Sequence, residues 1–272
     1  MLKKRLIATL LTRNGRIVQS VNFRHTNVIG NAFTAVDFFN TWAVDEIVIL
    51  DVSLNKNFRE KFYEMIQGLS RRCFVPLTVG GWVTSIEDIR TLLKTGADKV
   101  VVNTEAVKNP GFVTDAARIF GSQCIVISID VKLDTNNVYK VYIDRGKEAT
   151  SLSSEEWAKK VQELGAGEIY LTSIDRDGLL QGYDLQLLQS VTSVVNIPVI
   201  ASGGVGHWQH LVDGINIGNT DAVSAANIFH YTEHSTKNAK EFLHKAGVDA
   251  RETVFYKVTQ PRRPVYEIDY RV

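Results

Sequence analysis

A chain of 272 residues is long enough for one large barrel or for two smaller domains, and either way it buries a sizeable core. Lys and Arg number 31 against 30 for Asp and Glu, so a net charge of +1 leaves no global electrostatic argument for nucleic acid or an anionic membrane. A small molecule or another protein is the expected partner. The two cysteines, Cys73 and Cys124, match neither a disulfide framework nor a metal-ligand spacing and read as core residues in a reducing compartment. The apolar run in MLKKRLIATLLTRNG is too short for a signal segment or a membrane span, so the expected location is the cytoplasm.

Taken in chain order, short runs rich in β-branched residues alternate with stretches of helical period. The predicted strands are 6–11, 47–50, 75–79, 100–103, 124–130, 169–173, 198–202 and 222–226. Between them lie amphipathic segments such as NFREKFYEMIQGLSRR, SIEDIRTLLKTG, NPGFVTDAARIFG, SSEEWAKKVQELG and DLQLLQSVTSV. Ser153 with Glu156 forms a capping-box pattern, and Gly96, Gly121 and Gly165 follow helical runs where a left-handed cap is wanted. Eight strand-then-helix units predict an α/β fold, a single (β/α)₈ barrel; pattern alone leaves an open doubly wound sheet as the alternative. An internal repeat favours the barrel. Residues 77–103 and 200–226 both read strand, Gly-Gly, helix, Gly, Asp, strand at one offset, as two similar half-barrels would. The expected organisation is a barrel over residues 1–250 and a C-terminal extension over 251–272 that mixes aromatics with Arg and Pro. Residues 134–149 read as a small hairpin inserted after the fifth strand.

Three groups of residues stand out. Gly80-Gly81 and Gly203-Gly204 each follow a strand and precede a helix, where backbone N–H groups can approach a phosphate; a simple tight turn is the plainer alternative. Asn103 and Thr104, and Asp177 and Gly178, would complete two phosphate-sized cradles on opposite sides of one mouth. Of the strand-end carboxylates Asp51, Asp130, Asp175 and Asp177, Asp130 is the strongest candidate for an acid or base, because no regular helix follows it to be capped. At the opposite strand ends, Arg5, Glu46, Lys99 and Glu168 alternate in sign and could close a ring of ion pairs over the axis, either as a structural plug or as a gate. The six histidines are scattered, so no metal is expected.

With those residues in view the chain closely resembles the cyclase subunit of imidazole glycerol phosphate synthase, a histidine-pathway (β/α)₈ barrel. The likeness covers residues 1 to about 250 and rests on PLTVGGWVTSIEDIRTLLKTGADKVVVNTEAV, FGSQCIVISID, ELGAGEIYLTSIDRDG, GYDLQLLQSV and IPVIASGGV. The resemblance implies a bis-phosphate ribonucleotide ligand and no cofactor. One phosphate would meet Gly81, Trp82, Asn103 and Thr104, and the other Asp177, Gly178, Gly204, Ala226 and Asn227. It implies a general acid and base at the ends of strands one and five. Asp130 matches the second, but the first falls on Leu11, a side chain that can neither take nor give a proton. Gln19 stands where the family has a loop lysine, and Trp82 and Asn227 replace the family's residues at phosphate positions.

At the other end the resemblance implies an ammonia gate of Arg5, Glu46, Lys99 and Glu168, with Thr78 inside the channel. Asp45 and Asp98 would face a glutaminase subunit, the expected heterodimer partner. Gate residues kept while the acid/base pair loses a member resemble the diverged cyclase-like proteins associated with acetamidino modification of bacterial surface sugars. There ammonia would pass on to a third, ATP-dependent sugar amidotransferase, with the extension as a contact for it. Two alternatives stand beside this: an ordinary histidine-pathway cyclase using Asp51 or Asp177 in place of the lost carboxylate, and a binding module that only activates the glutaminase.

Overall fold

The structure, a computed structural model, describes residues 3–41, 44–231 and 235–252. Its strands are β1 (Arg5–Arg13), β2 (Arg16–Val21), β3 (Arg24–Gly30), β4 (Glu46–Asp51), β5 (Leu77–Gly80), β6 (Lys99–Val102), β7 (Ile125–Leu133), β8 (Tyr139–Ile143), β9 (Glu148–Ser153), β10 (Glu168–Ser173), β11 (Val199–Ser202) and β12 (Ala222–Ala225). Eight of them pair in parallel in the order β1, β4, β5, β6, β7, β10, β11, β12, and β12 pairs back onto β1. The sheet is closed, and each of the eight coincides with a predicted strand.

The helices are α1 (Ala32–Thr41), α2 (Arg59–Ser70), α3 (Ile86–Thr95), α4 (Thr104–Lys108), α5 (Gly111–Phe120), α6 (Ser154–Glu163), α7 (Leu185–Thr192), α8 (Trp208–Asn216), α9 (Ile228–Tyr231) and α10 (Ser235–Lys245). Their boundaries follow the local chemistry. Ser153 and Glu156 form both hydrogen bonds of a capping box at the start of α6. Gly96 closes α3 in the left-handed region at φ 109°. Ser153→Ala is expected to lower stability by ~1 kcal/mol in a urea titration, because the Glu156 N–H in the first turn of α6 loses its side-chain acceptor.

Strand alternation divides the barrel residues into two cores. One set, including Leu6, Leu10, Ile49, Val79, Ile127 and Leu171, packs outward against the helices. The other, Ile7, Val48, Val101, Val126, Tyr170, Ile200 and Ala222, packs inward on the axis. Each strand thus buries both faces, which is why the strands read as near-continuous apolar runs.

Two hairpins stand over the C-terminal ends of the strands. The one after β7 is the predicted insertion, with β7 running on to Leu133 and pairing with β8, which pairs with β9. The other, β2–β3, goes beyond the sequence reading. It is joined to β1 by Asn14-Gly15 and closed at its tip by Asn22-Phe23, with φ of 49° and 61° at the tip. Asn-Gly is the familiar signature of such a turn, and a Phe in the left-handed region is not.

The resemblance implies that Asp45 faces a glutaminase subunit; in the single chain its carboxylate is turned inward. Asp45 is 7% exposed; its carboxylate accepts the Leu6 N–H at 2.8 Å and pairs with the buried Lys240 ammonium at 2.5 Å. It ties β1 to α10. Asp98 makes the same backbone bond to Leu77, and Asp221 to Val199, so an aspartate just before an even barrel strand holds the start of the strand before it. Asp98 is nonetheless exposed. Ala250 bridges Lys4, so the extension leaves the barrel on the same face as the start of β1; residues 253–272 of it lie outside the described residues.

Candidate functional site

At the N-terminal ends of the strands, Arg5, Glu46, Lys99 and Glu168 all point into the barrel. Arg5 donates to Glu46 Oε2 at 2.8 Å and to Glu168 Oε1, and Lys99 donates to Glu46 Oε2 at 3.0 Å and to Glu168 Oε2 at 2.8 Å. The four therefore form a closed cycle of alternating charge. Thr78, fully buried, adds a 2.6 Å hydrogen bond to Glu46 Oε1. Burial works against the Arg5 charge, but the Glu168 and Glu46 carboxylates outweigh it and hold its pKa above the ordinary value.

Above the ring lies the axial apolar layer, and above that a cavity of about 380 Å³ opens at the C-terminal face. The first predicted phosphate cradle faces it through Gly81, Trp82, Asn103 and Thr104. Gly81 has φ 108°, and a Cβ there would collide with the Asp51 backbone, so only glycine lets the two strand ends approach this closely. Arg59 donates to the Gly81 carbonyl at 2.5 Å and fixes that loop. Trp82 lies at φ 56°, its indole N–H donates to Ser53 O at 3.1 Å, and the Arg145 guanidinium sits 5.5 Å from its ring centroid.

The second cradle is built differently. Only Asp177 and Ala226 of its predicted residues line the cavity. Asp177 Oδ2 accepts from Ser20 Oγ at 2.6 Å and from the Phe23 N–H at 3.1 Å, and Asn227 Nδ2 donates to Ser20 O at 3.1 Å. Gly178 lies against Ser20 and Val21, and Gly204 against the Gly182 carbonyl. The β2–β3 hairpin is thus bonded down onto these groups.

Asp130 ends the inward face of β7. Ser128 Oγ donates to its Oδ1 and Asn103 Nδ2 to its Oδ2, both at 3.0 Å. Burial raises its pKa to about 7, the Ser128 hydrogen bond opposes that shift, and the Asp177 charge adds to it. A carboxyl poised there can exchange a proton near neutral pH. Leu11 lines the same cavity and pairs in register with Leu50 of β4. Asp51 and Asp177 also line it. Asp51 Oδ1 is taken by the N–H and Oγ of Ser53, at 3.0 and 2.6 Å, and burial raises the pKa of both aspartates. Asp175 is turned away and accepts the Leu133 N–H at 2.9 Å.

Sequence reasoning missed Ser128, Tyr170, Phe23 and Arg145, all of which line the cavity. Ser128 was within reach, since it lies two residues before Asp130 on the same strand face. Phe23 and Arg145 sit on loops that carry no period. Among the described residues there is no cluster of three or more potential metal ligands, and no helix long and apolar enough to cross a membrane.

Fold and site together define a (β/α)₈ barrel with an ion-pair ring closing its N-terminal end and a carboxylate-bearing cavity at its C-terminal end. Residues 5–235 match the family of histidine biosynthesis proteins. The putative imidazole glycerol phosphate synthase subunit hisF2 of Vibrio vulnificus (strain YJ016) is 47% identical over 251 residues, which is 92% of each chain. The imidazole glycerol phosphate synthase subunit HisF of Alkaliphilus metalliredigens (strain QYMF) is 44% identical over 251 residues, 92% of this chain and 100% of that one. The chain belongs to the histidine biosynthesis protein family, among the imidazole glycerol phosphate synthase HisF-type subunits.

Proposed function

We propose that this chain is the ammonia-receiving barrel of a glutamine amidotransferase complex, taking ammonia from a glutaminase subunit through the Arg5–Glu46–Lys99–Glu168 ring and releasing it at the cavity without closing an imidazole ring itself. The observation that carries this reading is the pairing of a closed charge ring with Leu11, a side chain without proton chemistry, in the cavity that holds Asp130. Losing one member of an acid/base pair costs on the order of 10² to 10⁴ in rate. In the finer form of the proposal, the ammonia goes on to a separate ATP-dependent enzyme that converts an acetamido group of a nucleotide sugar into an acetamidino group for a bacterial surface polysaccharide. Asp98, exposed beside the ring, is the glutaminase-facing residue of this scheme.

Purified protein mixed with the bis-phosphate ribonucleotide and ammonium salt is expected to give trace turnover only. Turnover within about tenfold of the typical 10 s⁻¹ overturns the proposal. Leu11→Asp is expected to add a modest gain at most, because Gln19 and Trp82 remain at ligand positions. Full restoration would establish an intact ligand site.

A second reading, a working histidine-pathway cyclase, is supported by the names of the relatives and by Asp51 and Asp177 in the same cavity. It requires one of them to replace the missing carboxylate. Against it, each spends a carboxylate oxygen on loop groups that depend on it. Cyclase turnover that Asp51→Asn or Asp177→Asn abolishes, with folding intact, would decide for this reading.

A further inference from the structure

One layer above the axial apolar cluster, four hydroxyls from four different strands meet. Tyr170 Oη lies 2.9 Å from Thr9 Oγ1 and 3.2 Å from Ser224 Oγ, Thr9 Oγ1 lies 2.6 Å from Ser224 Oγ, and Ser202 Oγ donates to Tyr170 Oη at 2.9 Å. Thr9, Tyr170 and Ser202 face the cavity, while the Tyr170 ring belongs to the axial layer beneath it. The phenol therefore spans from the apolar passage to the cavity floor.

Counting protons defines what this cluster can bind. Each hydroxyl has one proton and two acceptor lone pairs. A cyclic arrangement among Thr9, Tyr170 and Ser224, with Ser202 donating into it, uses every proton and leaves roughly half of the acceptor capacity open. In that arrangement, which satisfies all four contacts at once, the site offers acceptors and no donor. Water placed there would keep two lone pairs unmatched, whereas ammonia, with three N–H donors and one lone pair, would keep one. Ammonium would match better still in hydrogen bonds, but it would have to bring its charge against Ile7, Val126 and Ile200, and the carboxylate whose charge reaches Tyr170, Asp130, is protonated below about pH 7.

We propose that the hydroxyls of Thr9, Tyr170, Ser202 and Ser224 form a docking site for neutral ammonia where the axial passage enters the cavity. This deepens the ammonia-conveying function proposed above and rests on it for its physiological meaning; the binding itself is measured independently.

The test is a titration of the full chain, carrying tyrosine labelled with ¹³C at Cζ, with ammonium chloride. The Tyr170 signal, identified by its loss in Tyr170→Phe, is expected to shift saturably, and at fixed total ammonium the shift is expected to grow with pH as free base accumulates, in Asp130→Asn as in the parent, so that ionisation of the Asp130 carboxyl near Tyr170 is not its source. Tyr170 itself stays protonated across that range because burial raises its pKa. Sodium chloride and tetramethylammonium chloride, which offer no N–H, are expected to leave the signal in place. Thr9→Val with Ser224→Ala is expected to weaken the response about tenfold while the remaining tyrosine signals keep their positions. A shift that sodium chloride reproduces, no saturable shift, or a response that Thr9→Val with Ser224→Ala leaves intact overturns the docking site. Conveyance is judged separately, in the assembled complex: if Lys99→Met leaves glutamine-dependent product formation unchanged, conveyance fails whatever the titration gives.

Discussion

Glu46→Gln is expected to destabilise the chain by about 3 kcal/mol and to cut glutamine-dependent product formation about tenfold or more, while product formation from added ammonium salt falls far less. The stability loss follows from charge. The ring carries two cations and two carboxylates, and the substitution leaves Arg5 and Lys99 to share Glu168. Glu46 is 2% exposed, and removing one partner of a buried pair costs about 3–5 kcal/mol. The low end applies because Lys99 is 20% exposed and can hydrate. A second change, Lys99→Met, makes the ring neutral again, so the double variant is expected to regain most of the stability in urea denaturation without regaining glutamine-dependent activity. Equal losses with glutamine and with ammonium salt would count against a channel through the ring.

The second large effect is a pH dependence centred on Asp130. Its pKa is about 7 in the folded chain against 3.8 when exposed, so folding takes up a proton between those values. Stability from this group is fully present below pH 3.8 and is lost as pH rises through 7. Asp130→Asn carries no charge to desolvate. It is therefore expected to be more stable than the parent by about 2–4 kcal/mol at pH 8, with the gap closing toward pH 4. The upper figure assumes that Asn keeps the Ser128 bond; a clash between its amide and that of Asn103 lowers the gain. Urea titrations of both proteins at pH 5, 6.5 and 8 check this, and a gap independent of pH would show that Asp130 is ionised at low pH in the folded chain.

Much of this architecture was legible before the fold. The eight barrel strands declare themselves through apolar runs because both faces of each are buried, and the helix ends through Ser153, Gly96 and their like. The four ring residues could be singled out because a charge at the first residue of an otherwise apolar strand is conspicuous. Asp130 was singled out because it ended a strand with no helix to cap. The surroundings of Asp45 were not legible in this way. Only the return of α10, 195 residues along the chain, puts the Lys240 ammonium beside it.

What the sequence by itself determined is the strand and helix succession, the half-barrel repeat and the identities of the charged and carboxylate residues at the strand ends, since these depend on period two, period 3.6 and local capping. What only the tertiary structure decided is which of those groups meet. The ring closes because four strands converge on one axis, the second cradle is taken up by a hairpin whose Asn-Phe tip carries no turn signature, and the hydroxyl cluster joins residues up to 215 positions apart. Such meetings depend on closure of the sheet, a long-range condition to which no local propensity responds.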